Sequence, residues 1–386
     1  MPVYLEQDIA QDTARFWHGL AQQNLFDLVL IVSTVKEQVS DAASTHDLVA
    51  AELGRLGGDQ TRIAVLQSEK ASRFRASQLD LAVDYARDRF SGEIHDGTRL
   101  WVGVYNADSR PQAQTFAELA EQIDTDPNVR VFQQLVDYVV PARGRGRLVA
   151  VGNSVLQTWW TLSHYTGRNS RGRTGRSVWS RTSPYSTFGH GEFVRADFLS
   201  HLGGFPDFAY ADGLLLGWIC RLAGEPIGLL ASRDIAEVPR SGKDLFTQQT
   251  AWMRGLLNFE GTVQWCRENK ILRLSEAEVR LLRAQHLAIP AAWGFSTIAV
   301  GTALAACGRR VWRGENTAYD LVVMGGLVAY PVLPALVPTA DQHHQAGRGR
   351  RVLGALMSWP IEGLAFWPAL RSHLQGSQQA PAKTPR

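Results

Sequence analysis

Two carboxylates and one imidazole stand where side chains of their type do chemistry. Asp108 closes the hydrophobic run RLWVGVYNAD (99–108) and lies within YNADSRP (105–111). A carboxylate just past a strand end is placed to hold a divalent cation by hard oxygen ligation. The same Asp-Ser-x-Pro sequence is also good turn chemistry. Asp212 lies in FPDFAYADGLLLGWICRLAGE (205–225), directly before an apolar helical run. There a carboxylate serves either chemistry or the common role of helix N-cap. His190 is flanked by Gly189 and Gly191. Those glycines let the backbone approach a ligand closely, and a neutral imidazole between them can hydrogen-bond a hydroxyl. A purely structural histidine fits the same pattern. Residues 168–181, RNSRGRTGRSVWSR, read as a loop with five arginines. Guanidinium forks suit phosphate oxygens, and a solvated or lipid-facing loop has the same composition.

These residues need a scaffold, and the pattern around them supplies one. FDLVLIVSTV (26–35) and RIAVLQS (62–68) read as buried strands, being rich in β-branched and aliphatic residues. RLWVGVYNAD makes a third strand, and VRVFQQLVDYVV (129–140) begins as a fourth. Helices are expected around 44–56, over 76–90 and over 115–123; the second has Leu79, Ala82, Val83 and Phe90 at helical spacing. Strands alternating with helices indicate an open α/β sheet. Such sheets bind ligands beyond the C-terminal strand ends. No internal repeat is present.

Composition limits the function classes. The chain has 386 residues, 45% of them hydrophobic and 20% charged, with a net charge of +3. That supports a large core and argues against a disordered chain or a dedicated nucleic-acid binder. Basic charge is almost all arginine, with five lysines (Lys36, Lys70, Lys243, Lys270, Lys383). Cys220, Cys266 and Cys307 are far apart and odd in number, which fits a reducing compartment better than a disulfide framework. Residues 1–20 carry Glu6, Asp8, Asp12 and Arg15, so they read as neither signal peptide nor membrane span. The C-terminal quarter differs. Residues 284–308 and 321–340 contain no charged side chain, and each run matches the thickness of a bilayer. A third run, 352–370, contains Pro360, Glu362 and Pro368; it spans, re-enters or lies in the interface. A pair of buried core helices is the competing reading of the first two runs.

The order of these features resembles the family 2 glycosyltransferases, over about residues 26–258. LIVSTVKEQ (30–38) sits at the family's first strand and turn, where Thr34 and Glu37 match. ASQLDLAVDYA (76–86) is similar to the helix preceded by a basic group, here Lys70, Arg73 or Arg75. YNADSRP matches the metal-binding Asp-x-Asp segment, and FGHGEFVRADFLSHLGGFPD (188–207) is similar to the family's glycine-rich block. YADGLLLGWICRLAGEPIGLL (210–230) resembles the helix that carries the base. EVP (237–239) and QQTAWMRG (248–255) follow where the family has Glu-x-Pro and Gln-x-x-Arg-Trp-x-x-Gly.

The resemblance implies a GT-A nucleotide-sugar-binding sheet flanked by helices and followed by C-terminal transmembrane helices. It divides the chain into a transferase domain (1–260), an amphipathic linker or interface helix (261–285), a membrane region of two to three helices (286–372) and a disordered tail (373–386). It implies inverting transfer from a nucleotide sugar, UDP-linked as a first guess, to a hydroxyl or phosphate acceptor, lipid-like or hydrophobic, at a membrane. The expected location is a multi-pass membrane protein with its N-terminal domain cytoplasmic. Asp212 would take the acceptor proton. Asp108 would ligate Mg²⁺ or Mn²⁺, with Asn106 beside it. Thr34, Glu37, Lys70, Gln248 and Trp252 would serve the donor, Trp252 otherwise being a core or interface tryptophan. Gly189, His190 and Gly191 would serve the acceptor side. The sequence departs from the family at Asn106, at Tyr210-Ala211 before Asp212, and at Ala251, and it has no strand ending in Asp-Asp-Gly-Ser. These departures favour a single transfer over processive synthesis, and they leave as the alternative a catalytically diverged membrane protein on the same fold, acting as an assembly partner or on another phosphate-bearing substrate.

Overall fold

The amphipathic helix α1 (Ala10–Ala21) precedes the first strand and buries Ala10, Ala14, Trp17 and Leu20 on one face. VLIVST forms β1 (Val29–Thr34) and IAVLQS forms β2 (Ile63–Ser68). In this computed structural model the two strands are parallel, with Val29 opposite Ile63 and Thr34 opposite Ser68. A parallel pair needs a crossover, which α2 (Thr45–Leu56) supplies. A capping box starts that helix. Ser44 accepts from the Asp47 N–H, and the Asp47 carboxylate accepts from the Ser44 N–H. The structure describes residues 1–35, 37, 43–57, 60–69, 75–91, 99–141, 147–174, 177–184, 186–208, 212–315, 317–336 and 346–376.

Next come α3 (Ala76–Arg89), β3 (Trp101–Val104), α4 (Gln114–Thr125) and β4 (Val131–Val139), at the places the periodicity predicts. They are followed by α5 (Leu148–Trp159), a π-helical turn over Trp160–Tyr165, α6 (Thr166–Thr174) and α7 (Val178–Arg181). The arginine-rich loop expected at 168–181 is therefore largely helical. The helix beginning at Leu148 runs on without a proline, arginine is a good helix former, and Ser177 caps the last short helix by accepting from the Ser180 N–H. The chain continues through β5 (Glu192–Arg195), α8 (Ala196–Leu202), α9 (Asp212–Leu222) and β6 (Ile227–Glu237). It ends with α10 (Gly242–Leu257), α11 (Phe259–Glu268), α12 (Glu276–Trp312), α13 (Thr317–Leu336), α14 (Arg348–Leu364) and α15 (Phe366–Leu374).

Two compact units alternate along the chain. The first takes Met1–Val136, Asn169–Ala236 and Gly261–Val279. Its second sheet has the order β3-β5-β4-β6. The four residues of β5 run antiparallel to both neighbours, with Val104 of β3 and Gln133 of β4 each opposite Glu192. This insertion departs from the open sheet expected from alternation alone. Its core is aromatic: Tyr105 meets Phe193 edge-on at 5.9 Å, and Trp17 lies 5.2 Å from Tyr105.

The second unit takes Asp137–Arg168, Glu237–Glu260 and Arg280–Arg386. Here α5 and α14 approach at two glycines; a Cβ on Gly152 would lie 2.0 Å from the Gly354 carbonyl. Beside that crossing the buried Asn153 donates to Glu362 Oε1 at 2.8 Å. Met253 and Leu257 of α10 bury against Phe366 and Ala369 of α15. Among the described residues one helix, α12, is long and apolar enough to cross a membrane, and only 17% of its most apolar window is buried. α13 contains a shorter apolar segment, Ala318–Ala329, and Pro331 and Pro334 lie further along the same helix. The stretch expected as one linker helix at 261–285 is divided between α11 and the start of α12. The tail beyond residue 376 lies outside the described residues.

Candidate functional site

The pairing of β3 with β5 fixes where the chemistry-bearing residues meet. Because Val104 sits opposite Glu192, the chain leaving β3 (105–110) and the chain entering β5 (189–191) emerge at the same sheet edge. This is the C-terminal end of β3, where open sheets bind ligands. The segment after β3 closes a turn. The Ser109 N–H donates to the Asn106 carbonyl at 3.1 Å, and the Asn106 N–H donates to Ser109 Oγ at 3.3 Å. The same turn contains Asp108, which is buried. From α1, Thr13 Oγ1 donates to the Ala107 carbonyl at 2.7 Å and pins the turn from below.

The Gly189-His190-Gly191 turn is held from β4. Gln133 donates to the carbonyls of His190 and Gly191 at 2.9 and 3.1 Å, and its Oε1 accepts from the Phe188 N–H at 2.9 Å. Both glycines have positive φ, 79° and 61°, which an L side chain adopts only with strain. Their neighbours close the space as well: a Cβ on Gly189 would lie 2.5 Å from the Arg75 guanidinium. Next to Gln133, Gln134 accepts from the Tyr105 hydroxyl at 2.8 Å and donates to Thr115 Oγ1 at 2.8 Å. Burial, with a smaller contribution from the Asp234 charge, holds the Tyr105 phenol well above its usual range, so it stays a donor.

Two side chains bridge the halves. Arg75, at the start of α3, donates from one guanidinium nitrogen to Asn106 Oδ1 at 2.8 Å and from the other to the Gly189 carbonyl. Asp234, fully buried on β6, accepts from Ser109 Oγ at 2.8 Å and from the Arg110 N–H at 3.0 Å, and its Oδ2 lies 2.9 Å from His190 Nδ1. α9 lies flush against the same turn. A Cβ on Gly213 would fall 2.0 Å from the Gly189 nitrogen, and one on Gly217 would fall 2.2 Å from the Thr187 nitrogen. The backbone of Asp212, the first residue of α9, is thereby set beside Gly189.

Asn106, Asp108, Gly189, His190, Gly191 and the Asp212 backbone therefore gather at one edge of the first unit. Thr34 ends β1, and Glu37 is buried near the start of α2. Glu37 Oε1 accepts from Gln7 Nε2 at 2.5 Å and from Thr45 N and Oγ1 at 2.9 and 2.6 Å. Its Oε2 is buried with no hydrogen-bond partner. Lys70 and Arg73 lie outside the described residues, as do Tyr210 and Ala211. Gln248 and Trp252 are half-buried on α10, in the second unit. Sequence reasoning missed Gln133 and Asp234. The signal for Asp234 was its phase, because strand alternation puts it on the buried face with Leu230 and Ala236, where a carboxylate must be paired.

Among the described residues no group of three or more His, Cys, Asp or Glu side chains is arranged to hold a metal ion. The donor set of the 106–109 turn still suits a hard divalent cation of the magnesium type. Such ions bind through one or two carboxylates together with substrate phosphates. Asp108 supplies one carboxylate, while Asn106 Oδ1 is engaged by Arg75.

The chain shares its fold with a solved glycosyltransferase. Among solved structures the chain is similar to the mannosyltransferase PcManGT from Pyrobaculum calidifontis in complex with GDP-Man and Mn2+. The TM-score is 0.51 over 95% of this chain and 86% of that one, at 14% identity. At that identity the likeness speaks for the fold. No family model matches the chain, and no curated protein matches it.

Proposed function

We propose that the protein moves one sugar, with inversion, from a nucleotide-sugar donor to a hydroxyl or phosphate acceptor, on a GT-A-type sheet of the family 2 kind. The observation that carries this reading is the meeting of the Asp108 turn, the Gly189–Gly191 turn and the start of α9 at the C-terminal end of β3. The neighbour's donor makes GDP-mannose the first candidate, ahead of UDP-sugars. Asp212 takes the proton from the acceptor hydroxyl as its oxygen attacks the anomeric carbon, opposite the departing diphosphate. Arg75 adds positive charge on the diphosphate side. Asp108 would hold Mg²⁺ or Mn²⁺ together with the donor's phosphates, and the ion would supply charge neutralisation for the leaving group. Thr34 and Glu37 serve the donor, and the unpartnered Glu37 Oε2 is suited to a ribose or base donor group. α12 anchors the chain in a bilayer with the first unit cytoplasmic, which favours a lipid-borne or hydrophobic acceptor and a single transfer.

Thermal shift of the detergent-solubilised protein against GDP-mannose and UDP-sugars, with and without Mn²⁺, tests the donor. A native-state ligand raises stability by RT ln(1 + [L]/Kd), about 2.7 kcal/mol at a hundredfold excess over Kd. Asp212→Asn is expected to lower kcat by at least about 100-fold while donor binding persists. Full activity in that variant removes Asp212 from the role of base. One observation favours a second reading, an assembly partner without sugar chemistry: Asn106 stands in the metal turn and its oxygen is taken by Arg75. Failure of every nucleotide sugar to shift the melting temperature, with or without metal, would support it.

A further inference from the structure

Glu362 of α14 has no exposed surface, and Asn153 of α5 has 1%. Helices close over the pair from two sides. Gly152 meets Gly354 beside Asn153, and a Cβ on Gly363, next to Glu362, would collide with Thr297 and the Trp293 carbonyl of α12. Neither wall carries charge: α5 contains no ionisable side chain, and residues 293–297 of α12 contain none. On α14 itself the nearest arginine, Arg351, is eleven residues back, about 16 Å along the helix. Among the described residues the Glu362 side chain makes no ion pair, and its one hydrogen bond comes from Asn153 Nδ2 to Oε1 at 2.8 Å. Glu362 Oε2 and Asn153 Oδ1 are left over, both buried without a partner.

The two orphan atoms decide the protonation state. An ionised carboxylate in this apolar setting would have a single donor, and the amide oxygen would stay unsatisfied, a costly combination. A carboxylic acid has one O–H to donate. Placed on Oε2, that O–H is complementary to Asn153 Oδ1, just as the amide N–H is to Oε1. One proton thus satisfies both atoms.

We propose that Glu362 is protonated in the folded protein and forms a two-bond clasp with Asn153, Nδ2–H to Oε1 and Oε2–H to Oδ1, which locks α14 onto α5. The proton comes from solvent as α14 docks, because a solvated glutamate is ionised at neutral pH. The clasp belongs to the second unit and does not depend on any chemistry in the first.

Infrared spectroscopy of the full-length protein in detergent, at neutral pH, reads the proton directly. The wild type is expected to show the C=O stretch of a protonated carboxyl group. That band should vanish in Glu362→Gln and move to higher wavenumber in Asn153→Leu, where the carbonyl loses its amide donor. A wild type without the band overturns the proposal whether or not the variants fold, and a band that neither variant alters overturns it equally.

An isosteric change then separates a clasp from simple packing. In Glu362→Gln the new amide donates to Asn153 Oδ1 and its oxygen still accepts, so the melting temperature is expected within about 3 °C of wild type. Glu362→Met keeps the shape without the polar atoms. It and Asn153→Leu each strand the partner's polar group and should each lose about 4 °C or more. The double variant strands nothing and should lose less than the sum of the two. Additive losses, or a loss in Glu362→Gln as large as in Glu362→Met, would mean that the two side chains do not act as a pair.

Discussion

Away from the site, Glu52 of α2 shows how charge is used at the scale of one residue. Hydrogen bonds from Arg55 and then Arg15 hold its carboxyl down to about 2. Arg55 Nη2 and Arg15 Nε each lie 2.6 Å from Oε1. A carboxyl depressed in the folded state stabilises it above the unfolded pKa, about 4.3. That contribution is lost as pH falls toward the folded value. Glu52→Gln is therefore expected to lower the urea midpoint at neutral pH, and the gap to wild type should close between about pH 4 and 2. A gap that stays constant down to pH 2 would refute the linkage. The residues at the site were unevenly legible. Asp108 and His190 stood out because polar side chains follow an apolar run or sit between glycines. Asp234 did not, since one carboxylate inside SRDIAE looks like surface until the strand's phase is known. Asp212 was legible by its place before an apolar helix.

At the scale of elements, small residues decide how closely segments approach. Gly213 lets α9 lie against the Gly189 backbone, and any Cβ there would fall 2.0 Å from a backbone nitrogen. Gly213→Ala is expected to cost about 1–3 kcal/mol by overpacking and to lower turnover further by moving Asp212. Gly19 is the contrast: it is exposed on α1, and a methyl group there would meet no atom within 4 Å. Gly19→Ala should stabilise by up to about 1 kcal/mol. Urea denaturation of both variants checks the pair, and equal effects would argue that the approach of α9 is not close-packed. The first strands and helices were readable because β-branched runs and 3.6-residue spacing are long enough to be distinctive. β5 was not, because four residues carry no period, and its antiparallel place between β3 and β4 depends on partners remote in sequence. The helical nature of 166–174 was hidden by its glycines, which imitate a loop.

For the whole molecule, the membrane reading turns on α12, whose apolar surface is mostly unburied. Ile298 and Thr302 are exposed on it. A central aspartate costs roughly 2.5–3.5 kcal/mol on insertion. Ile298→Asp combined with Thr302→Asp is thus expected to shift the protein out of the carbonate-resistant membrane fraction. Undiminished retention would mean that α12 is not the anchor. Charge-free stretches near 290 and 325 were equally visible in the sequence. The extent of the first helix was not, because α12 reaches well beyond its charge-free stretch, from Glu276 to Trp312.

The crossing of α5 and α14 also sets a timetable for synthesis. Asn153 and Glu362 are 209 residues apart, and α5 is buried along most of its length. At about 5–20 residues per second, translation delivers α14 roughly 10–40 s after α5 emerges. During that interval the apolar face of α5 has no final partner, so the nascent chain must shelter it by a chaperone, by the lipid surface or by a provisional contact. Whatever the chain does, its last helices to be made decide when one of its middle helices can settle.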